Sequence, residues 1–263
     1  MMKRFRAIKG GTIIGMLLIS AFIVFMPSSL AGLPVGNGNV MLEYDASALQ
    51  EHIMPLSGPR IIPITISYMV SGILAKTVVD WFSGKVIPII DLSVEDSPSW
   101  CTAAVEPNVI SPEIGTGWNS ITANLLVSVN ENAPARTDGK IKVKMYARKL
   151  QGPLSEISEV TSYAEVTFTP GYLPTIGYTV PVGNFVEIVP GTTANFDLEI
   201  ENLGNAKTEV VFRVLNVPKG WSPNIIASTI LGSNVHGDDP KSTVQLVVQP
   251  PYSFGYHNER EVI

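Results

Sequence analysis

The feature that most constrains this chain is a period-two alternation of apolar and polar side chains that recurs along its length. The apolar positions of one such segment are Ala194, Phe196, Leu198 and Ile200. Because successive side chains of a strand point to opposite faces, the pattern predicts a strand with one dry and one wet face. Turn residues follow at Asn202-Leu203-Gly204-Asn205, and the alternation resumes over residues 208–215. Residues 185–223 therefore predict half of an antiparallel β-sandwich.

The same alternation appears in the first half of the chain. Further strands are predicted at residues 40–44, 62–70, 86–94, 100–105, 121–129, 141–147 and 164–168. A polar loop over residues 130–139 separates two of them, so we expect these two strands to form an antiparallel hairpin. The polar side of the second strand holds Lys140, Lys142, Lys144 and Arg148. This pattern predicts a hairpin with a cationic outer face.

Many short strands joined by turns predict an all-β fold, and the chain contains 22 Gly and 20 Pro. We expect two tandem Ig-like β-sandwich domains, residues 40–170 and 182–263, preceded by one N-terminal hydrophobic helix. Residues 171–181 are rich in proline and glycine and are expected to form a semi-rigid linker. Strands of the second domain are expected at residues 185–189, 193–201, 208–215, 225–230 and 243–249. Residues 252–263 begin another strand that the domain needs, so it is expected to be incomplete at its C-terminus.

Two shorter segments of the first half are less regular. Residues 75–82 fit either a strand or a short helix, and both interpretations stay open. Residues 47–54 are expected to include a helical turn.

The N-terminus predicts export from the cytoplasm. Lys3, Arg4, Arg6 and Lys9 precede the uncharged segment 11–26, and Ser29-Leu30-Ala31 has the form of a signal-peptidase site. Residues 1–31 are therefore either a cleaved signal peptide or a retained membrane anchor, because the uncharged length fits both. Either alternative places the chain from residue 32 onward outside the cytoplasm. Residues 32–39 are expected to form a tether.

Charge and cysteine usage exclude several classes of protein. The formal net charge is −5, and without a basic stripe the chain is not expected to bind nucleic acid. Cys101 is the single cysteine, which excludes an internal disulfide framework and a cysteine-rich metal site. It alternates with Ala103 and Val105, so we expect a buried thiol. No catalytic motif with a defined spacing is present, and we expect no enzyme and no cofactor.

Several residue groups are candidates for binding, and each has a simpler structural explanation that we favour. The candidates for a zinc site are His52, His236 and His257, which lie far apart in predicted loops. The candidates for a calcium shell are Asp91, Glu95 and Asp96, and separately Asp238 and Asp239. The candidates for stacking on a sugar are Trp81, Trp100, Trp118 and Trp221. The lysine-rich face of residues 140–148 is a candidate for contact with an anionic surface. We expect solvated loops, packed indoles and a solvated face instead, and therefore no catalytic, cofactor or metal residues.

Residues 190–251 resemble the NEW3 domain, an Ig-like module found with some glycoside hydrolases and in prokaryotic, often archaeal, membrane proteins. The matching motifs are Pro190-Gly191, Asn202-Leu203-Gly204, Val217-Pro218-Lys219-Gly220-Trp221 and Gln249-Pro250-Pro251. We expect Gly204 to supply a positive φ in the turn, and Gly220 to let Trp221 fold back as a plug for the edge of the sandwich. The resemblance implies an appended display or spacer role. No family is recognised for residues 40–170.

These observations predict a non-catalytic surface protein whose tandem Ig-like domains act as a spacer, adhesion or interaction module. Its expected partners are the membrane, through residues 1–31 if they are retained, and other envelope proteins or surface glycans. One alternative is a carbohydrate-binding accessory module, which would need exposed Trp81, Trp100 or Trp118 on one flat face. Another is a secreted hydrolase, which would need two facing carboxylates in a cleft.

Overall fold

A computed structural model describes residues 34–152, 155–181, 183–188 and 191–252. Strands make up 50% of the structure and helices 7%, which confirms the all-β class. The predicted N-terminal helix and the predicted strand of residues 253–263 lie outside the described residues. Within the described part of the chain, no helix is long and apolar enough to cross a membrane.

Sixteen strands, one α-helix and two short 3-10 helices make up the described elements. In the first half the strands are β1 (Pro34–Tyr44), β2 (Arg60–Ser71), β3 (Ile90–Asp96), β4 (Cys101–Glu106), β5 (Val109–Ile110), β6 (Asn119–Val129), β7 (Gly139–Ala147), β8 (Leu150–Gln151), β9 (Glu156–Ser158) and β10 (Val160–Phe168). In the second half they are β11 (Ile176–Thr179), β12 (Ala194–Asn202), β13 (Thr208–Val211), β14 (Ser222–Asn224), β15 (Ser228–Leu231) and β16 (Lys241–Gln249). Helix α1 is Ala75–Phe82, and the 3-10 helices are Ala46–Leu49 and Asn234–His236.

The first half consists of two sheets that enclose one apolar core. One sheet has the order β4-β6-β2-β1-β9-β8, and the other has the order β10-β7-β3-β5. Every second residue of β7, from Gly139 to Ala147, is buried, as the sequence pattern predicts. The core also includes Ile64 of β2, Leu125 of β6 and Ile141 of β7, each with no exposed surface.

The expected hairpin of residues 121–129 and 141–147 is wrong. β6 pairs with β2 and β4 in one sheet, whereas β7 pairs with β3 and β10 in the other. Residues 130–138 therefore cross between the sheets, and they are too many for a tight hairpin, whose loop has about two to five residues. Each of the two strands has one apolar face, and because their sheets face each other, the apolar faces of β6 and β7 are buried in the same core.

Helix α1 resolves the ambiguous segment of residues 75–82. Ala75, Val78 and Phe82 share one helical face and are buried, a spacing that fits a helix and not a strand. The helix ends at Phe82 because Ser83 adopts an extended backbone with ψ of 126°.

The second half has a smaller core. The sheet β11-β12-β16-β14 is opposed by only two strands, β13 and β15. Its buried cluster contains Ile200, Leu231 and Val244. The expected strand at 225–230 is found only in part: residues 228–230 lie in β15, whereas residues 225–227 form no strand and connect β14 to β15, which pair in different sheets. Residues 185–188, also expected in a strand, form none.

Two segments expected to be connectors are partly strands. Residues 34–39, assigned to a tether, form the start of β1, where Asn37 lies opposite Ser71 of β2. Residues 176–179, assigned to the linker, form β11 and pair with β12. Glycine and proline lower strand propensity, which an edge strand such as β11 tolerates because it needs hydrogen bonds on one side only. The start of β1 is not at an edge, since it pairs with both β2 and β9.

Candidate functional site

The predicted cationic face lies on the solvent side of β7, and acidic residues flank it on both neighbouring strands. Lys140 Nζ lies 3.4 Å from a carboxylate oxygen of Glu165 on β10. Lys144 Nζ lies 3.9 Å from a carboxylate oxygen of Glu95 on β3. Lys142 lies opposite Glu165 in one pairing and opposite Asp96 in the other. The surface is therefore of mixed charge, and the prediction of a cationic face is wrong.

Arg148 and Asp91 form the best-defined ion pair on this surface. Arg148 Nε and an Arg148 terminal nitrogen donate to the two oxygens of Asp91, each at 2.7 Å. The hydrogen bonds from Arg148 hold the pKa of Asp91 below its ordinary value of 3.8. Nearby, the Tyr146 hydroxyl donates to Glu159 at 2.7 Å, and this bond raises the pKa of Tyr146. The surface is held by cross-strand pairs.

The first candidate calcium shell does not assemble. Asp91, Glu95 and Asp96 all lie along β3, and the first two bind Arg148 and Lys144 instead of converging on a common point. Asp239 of the second candidate pair accepts a hydrogen bond from the backbone of Lys241 at 3.0 Å. Among the described residues, no group of three or more His, Cys, Asp or Glu is placed to hold a metal ion.

The histidine and cysteine candidates are separated in the structure. His52 and His236 are both exposed and lie in different halves, and His257 lies outside the described residues. Cys101 is buried, with 7% of its surface exposed. Burial raises the pKa of its thiol to about 11, so the thiol is protonated and unreactive at neutral pH.

Three of the tryptophans lie in the first half, and they do not share one face. Trp100 packs edge-on against Phe168, with ring centroids 5.6 Å apart. Trp100 lies beside the last residue of β6, because its neighbour Cys101 pairs with Val129. Trp118 lies at the other end of β6, because it directly precedes Asn119, the first residue of that strand. The length of β6 places these two indoles roughly 30 Å apart. Trp81 lies on α1, and Trp221 is half-buried in the second half.

The best-organised polar site is the junction between the two halves, and it is centred on Asn205. The Asn205 amide is fully buried, and its nitrogen donates to Ala133 O at 2.9 Å and Gly171 O at 2.8 Å. Its carbonyl oxygen accepts from the backbone nitrogen of Leu173 at 2.7 Å. The backbone oxygen of Asn205 accepts from Ala135 at 3.1 Å. One side chain thus joins the β6–β7 crossover, the connecting segment and the β12–β13 crossover.

Asn202 supports the junction from within the second half. Its side-chain nitrogen donates to Ala206 O and Gly232 O, and its oxygen accepts from the backbone of Gly204 at 2.9 Å. Gly204 was expected to supply a positive φ, but it is not among the residues with positive φ. It is needed for close approach, because a Cβ there would lie 2.5 Å from Leu173 O. Gly220, for which only a role in the fold-back of Trp221 was expected, does adopt a positive φ, of 87°.

Sequence reasoning identified the Asn202-Leu203-Gly204-Asn205 stretch only as a turn. Turn asparagines are common and usually exposed, so residue type alone did not distinguish this junction. The available signal was the presence of two asparagines in one short turn beside a proline-rich connector, since buried amides must bond to backbone groups.

The outer face of the sheet β11-β12-β16 forms a shallow open depression. Thr179, Glu199 and Thr243 lie abreast across the three strands. In the next row, Glu201 lies 3.6 Å from Lys241. Glu199 and Glu201 leave the same strand on the same side, so they cannot flank a bond from two directions.

A scan against protein-family models finds no match for this chain, and a search of curated proteins finds no significant match. The resemblance of residues 190–251 to NEW3 domains therefore stays a prediction.

Proposed function

We propose that this chain is a non-catalytic surface protein outside the cytoplasm, in which two tandem Ig-like β-sandwiches act as a spacer and an interaction module. The observation that best supports this function is the path of the chain from one end of the molecule to the other. The first half begins at Pro34, which lies at the same end as Ser71, the last residue of β2. The half ends at Phe168, which pairs with Gly139 at the opposite end.

The second half continues in the same direction. The junction lies at the Asn202 end of β12, whereas the other end of β12, at Ala194, lies opposite Val248 of β16. The chain therefore reaches Pro250 away from the junction. Because the chain enters the molecule at one end and leaves it at the other, the molecule keeps apart any groups that are attached to its two ends.

A spacer also has to resist bending where its modules meet. Asn205 meets this requirement, because it belongs to the second half and its buried amide bonds to Ala133 of the first half and to the segment between the halves. The Tyr172 hydroxyl adds a 2.8 Å contact with Thr208 Oγ1. These bonds leave little free linker at the joint, which favours a rigid connection over two independently moving modules.

The Ig-like assignment of the second half requires a further strand. An Ig-type sandwich opposes a four-stranded sheet with one of three or more strands, whereas β13 and β15 supply two. Leu198, Phe212, Ile225 and Leu246 line a partly open, mainly apolar cavity of about 280 Å³ beside β13, whose lining also includes Arg213.

Residues 1–31 supply the export signal or anchor in this proposal, and residue 32 onward lies outside the cytoplasm. The test is to label Lys219→Cys, an exposed turn position, on intact cells with a membrane-impermeant maleimide. Labelling without lysis is the expected result. The parent chain is the matched control, since its single cysteine, Cys101, is buried. Labelling of the variant only after lysis would contradict the proposed location.

The alternative functions have weaker support. Trp100 and Trp118 lie at opposite ends of β6, which disfavours a sugar platform that combines them; absence of binding on a glycan array would exclude this alternative. Glu199 and Glu201 are neighbours on one open face, which disfavours a hydrolase. The proposed partners are the membrane, through residues 1–31 if they are retained, and other envelope proteins or surface glycans.

A further inference from the structure

The end of the first half that lies opposite the junction exposes several large apolar side chains. Ile73 is 103% exposed, Leu74 53%, Trp81 44% and Trp118 46%. Single exposed apolar residues are common, but several at one end of a molecule indicate a contact surface. We refer to Ile73, Leu74, Trp81 and Trp118 as the apolar end.

Topology places these four residues at the same end of the first half. Ile73 and Leu74 lie between the end of β2 at Ser71 and the start of α1 at Ala75. Trp118 directly precedes Asn119, which pairs with Tyr68 near the end of β2. In addition, the backbone nitrogen of Val70 donates to Gly115 O at 2.9 Å, which ties the loop before Trp118 to the same end.

Helix α1 cannot rotate about its axis to bury Trp81 in the core. The opposite face of the helix is already buried, with Val78 and Phe82 each 1% exposed. Phe82 packs near Gly152, and Val78 packs near Gly36. The buried side of the helix is thus held against the core, and Trp81 stays on the exposed side together with Lys76 and Asp80.

The chain enters the molecule at this same end. The uncharged segment 11–26 is followed by residues 27–33 and then by β1. Seven extended residues reach at most roughly 25 Å. A retained anchor would therefore hold the apolar end within that distance of the membrane surface, where even a weak contact is favoured by the short tether.

We propose that the apolar end inserts into the interface of the lipid bilayer and seats the base of the molecule on the membrane. This rests on the proposed function with residues 1–31 retained. Tryptophan partitions to the headgroup region, and apolar residues beside lysines suit an interfacial contact. The Lys85 ammonium lies 5.1 Å above the Trp81 ring. Exposed Lys76 and Asp80 on the same helix oppose each other in charge, so neutral lipid is a sufficient partner.

The test reconstitutes the full chain in phosphatidylcholine vesicles that contain lipid brominated on its acyl chains, which quenches nearby indoles. We expect quenching of roughly half of the emission, because two of the four tryptophans lie at the apolar end. Trp81→Phe with Trp118→Phe should abolish most of the quenching. Trp100→Phe with Trp221→Phe is the matched control and should leave the quenched component in place, since those indoles lie at the junction and beyond it.

A second variant separates insertion from simple proximity. Ile73→Asp with Leu74→Asp should reduce the quenching of Trp81 at least twofold, while Ile226→Asp, at an exposed position of the second half, should not. If the chain associates with the vesicles but shows no quenching, the docking proposal fails and the spacer function stands. If the chain does not associate with vesicles at all, both the docking proposal and the retained anchor fail.

Discussion

The two halves of this molecule use the same strand pattern but bury it to different extents. In the first half, two broad sheets enclose Ile64, Leu125 and Ile141 without exposed surface. In the second half, Leu198 and Leu246 occupy equivalent inward positions on β12 and β16, yet they remain half-buried beside a cavity. The difference shows that period-two alternation produces a dry face only where a second sheet covers it.

Substitution of Leu125 by alanine is the most direct way to break this comparison and should have the largest effect. Leu125 is fully buried on β6, so removing its side chain leaves a cavity and should lower the free energy of unfolding by about 3 kcal/mol. Leu246→Ala is the matched change in the second half and should lower it by about 1 kcal/mol. Urea unfolding of Leu125→Ala is followed in a Trp221→Phe background, which reports the first half, and that of Leu246→Ala in a chain whose other three tryptophans are phenylalanine, in which Trp221 reports the second half. Equal losses at the two sites would show that the cores do not differ as described.

Asn205→Ala tests whether the halves behave as one body. The change leaves the buried backbone groups of Ala133, Gly171 and Leu173 without their Asn205 partner. It should therefore lower the free energy of unfolding by about 2 kcal/mol. Pulsed EPR between spin labels at Ser93→Cys and Lys219→Cys should then give a broader distance distribution. Asn195→Ala, at an exposed position of β12, should leave the distribution narrow. A narrow distribution in both variants would remove Asn205 as the residue that fixes the joint.

The Asp91–Arg148 pair should give the smallest effect, and it should depend on pH. The folded-state pKa of Asp91 is lowered, so its contribution to stability is present above the unfolded value of 3.8 and lost as pH falls through the folded value. Asp91→Asn should therefore lower the free energy of unfolding slightly at pH 7 and leave it unchanged at strongly acidic pH. Added salt should reduce the difference, because both side chains are partly exposed. A pH-independent difference would contradict this assignment.

Strand positions were largely predictable, whereas strand partners were not. The segments 121–129, 141–147 and 164–168 lie in β6, β7 and β10 as expected, because alternation is a local property of a strand. The hairpin between the first two was wrong, since nothing local states which sheet a strand joins. The cationic face failed for the same reason, because Glu95 and Glu165 reach β7 only through pairing with distant strands.

The sequence by itself determined the all-β class, the buried thiol of Cys101 and the exposed acidic and basic faces of individual strands. Each follows from side-chain chemistry and from the two-residue repeat of an extended backbone. The tertiary structure alone decided the crossover at residues 130–138, the neutralised face of β7, the buried amide of Asn205 and the position of Trp81 and Trp118 at one end of the first half. Those properties depend on which distant segments meet, and contacts of that kind are fixed by the packing of whole sheets against one another.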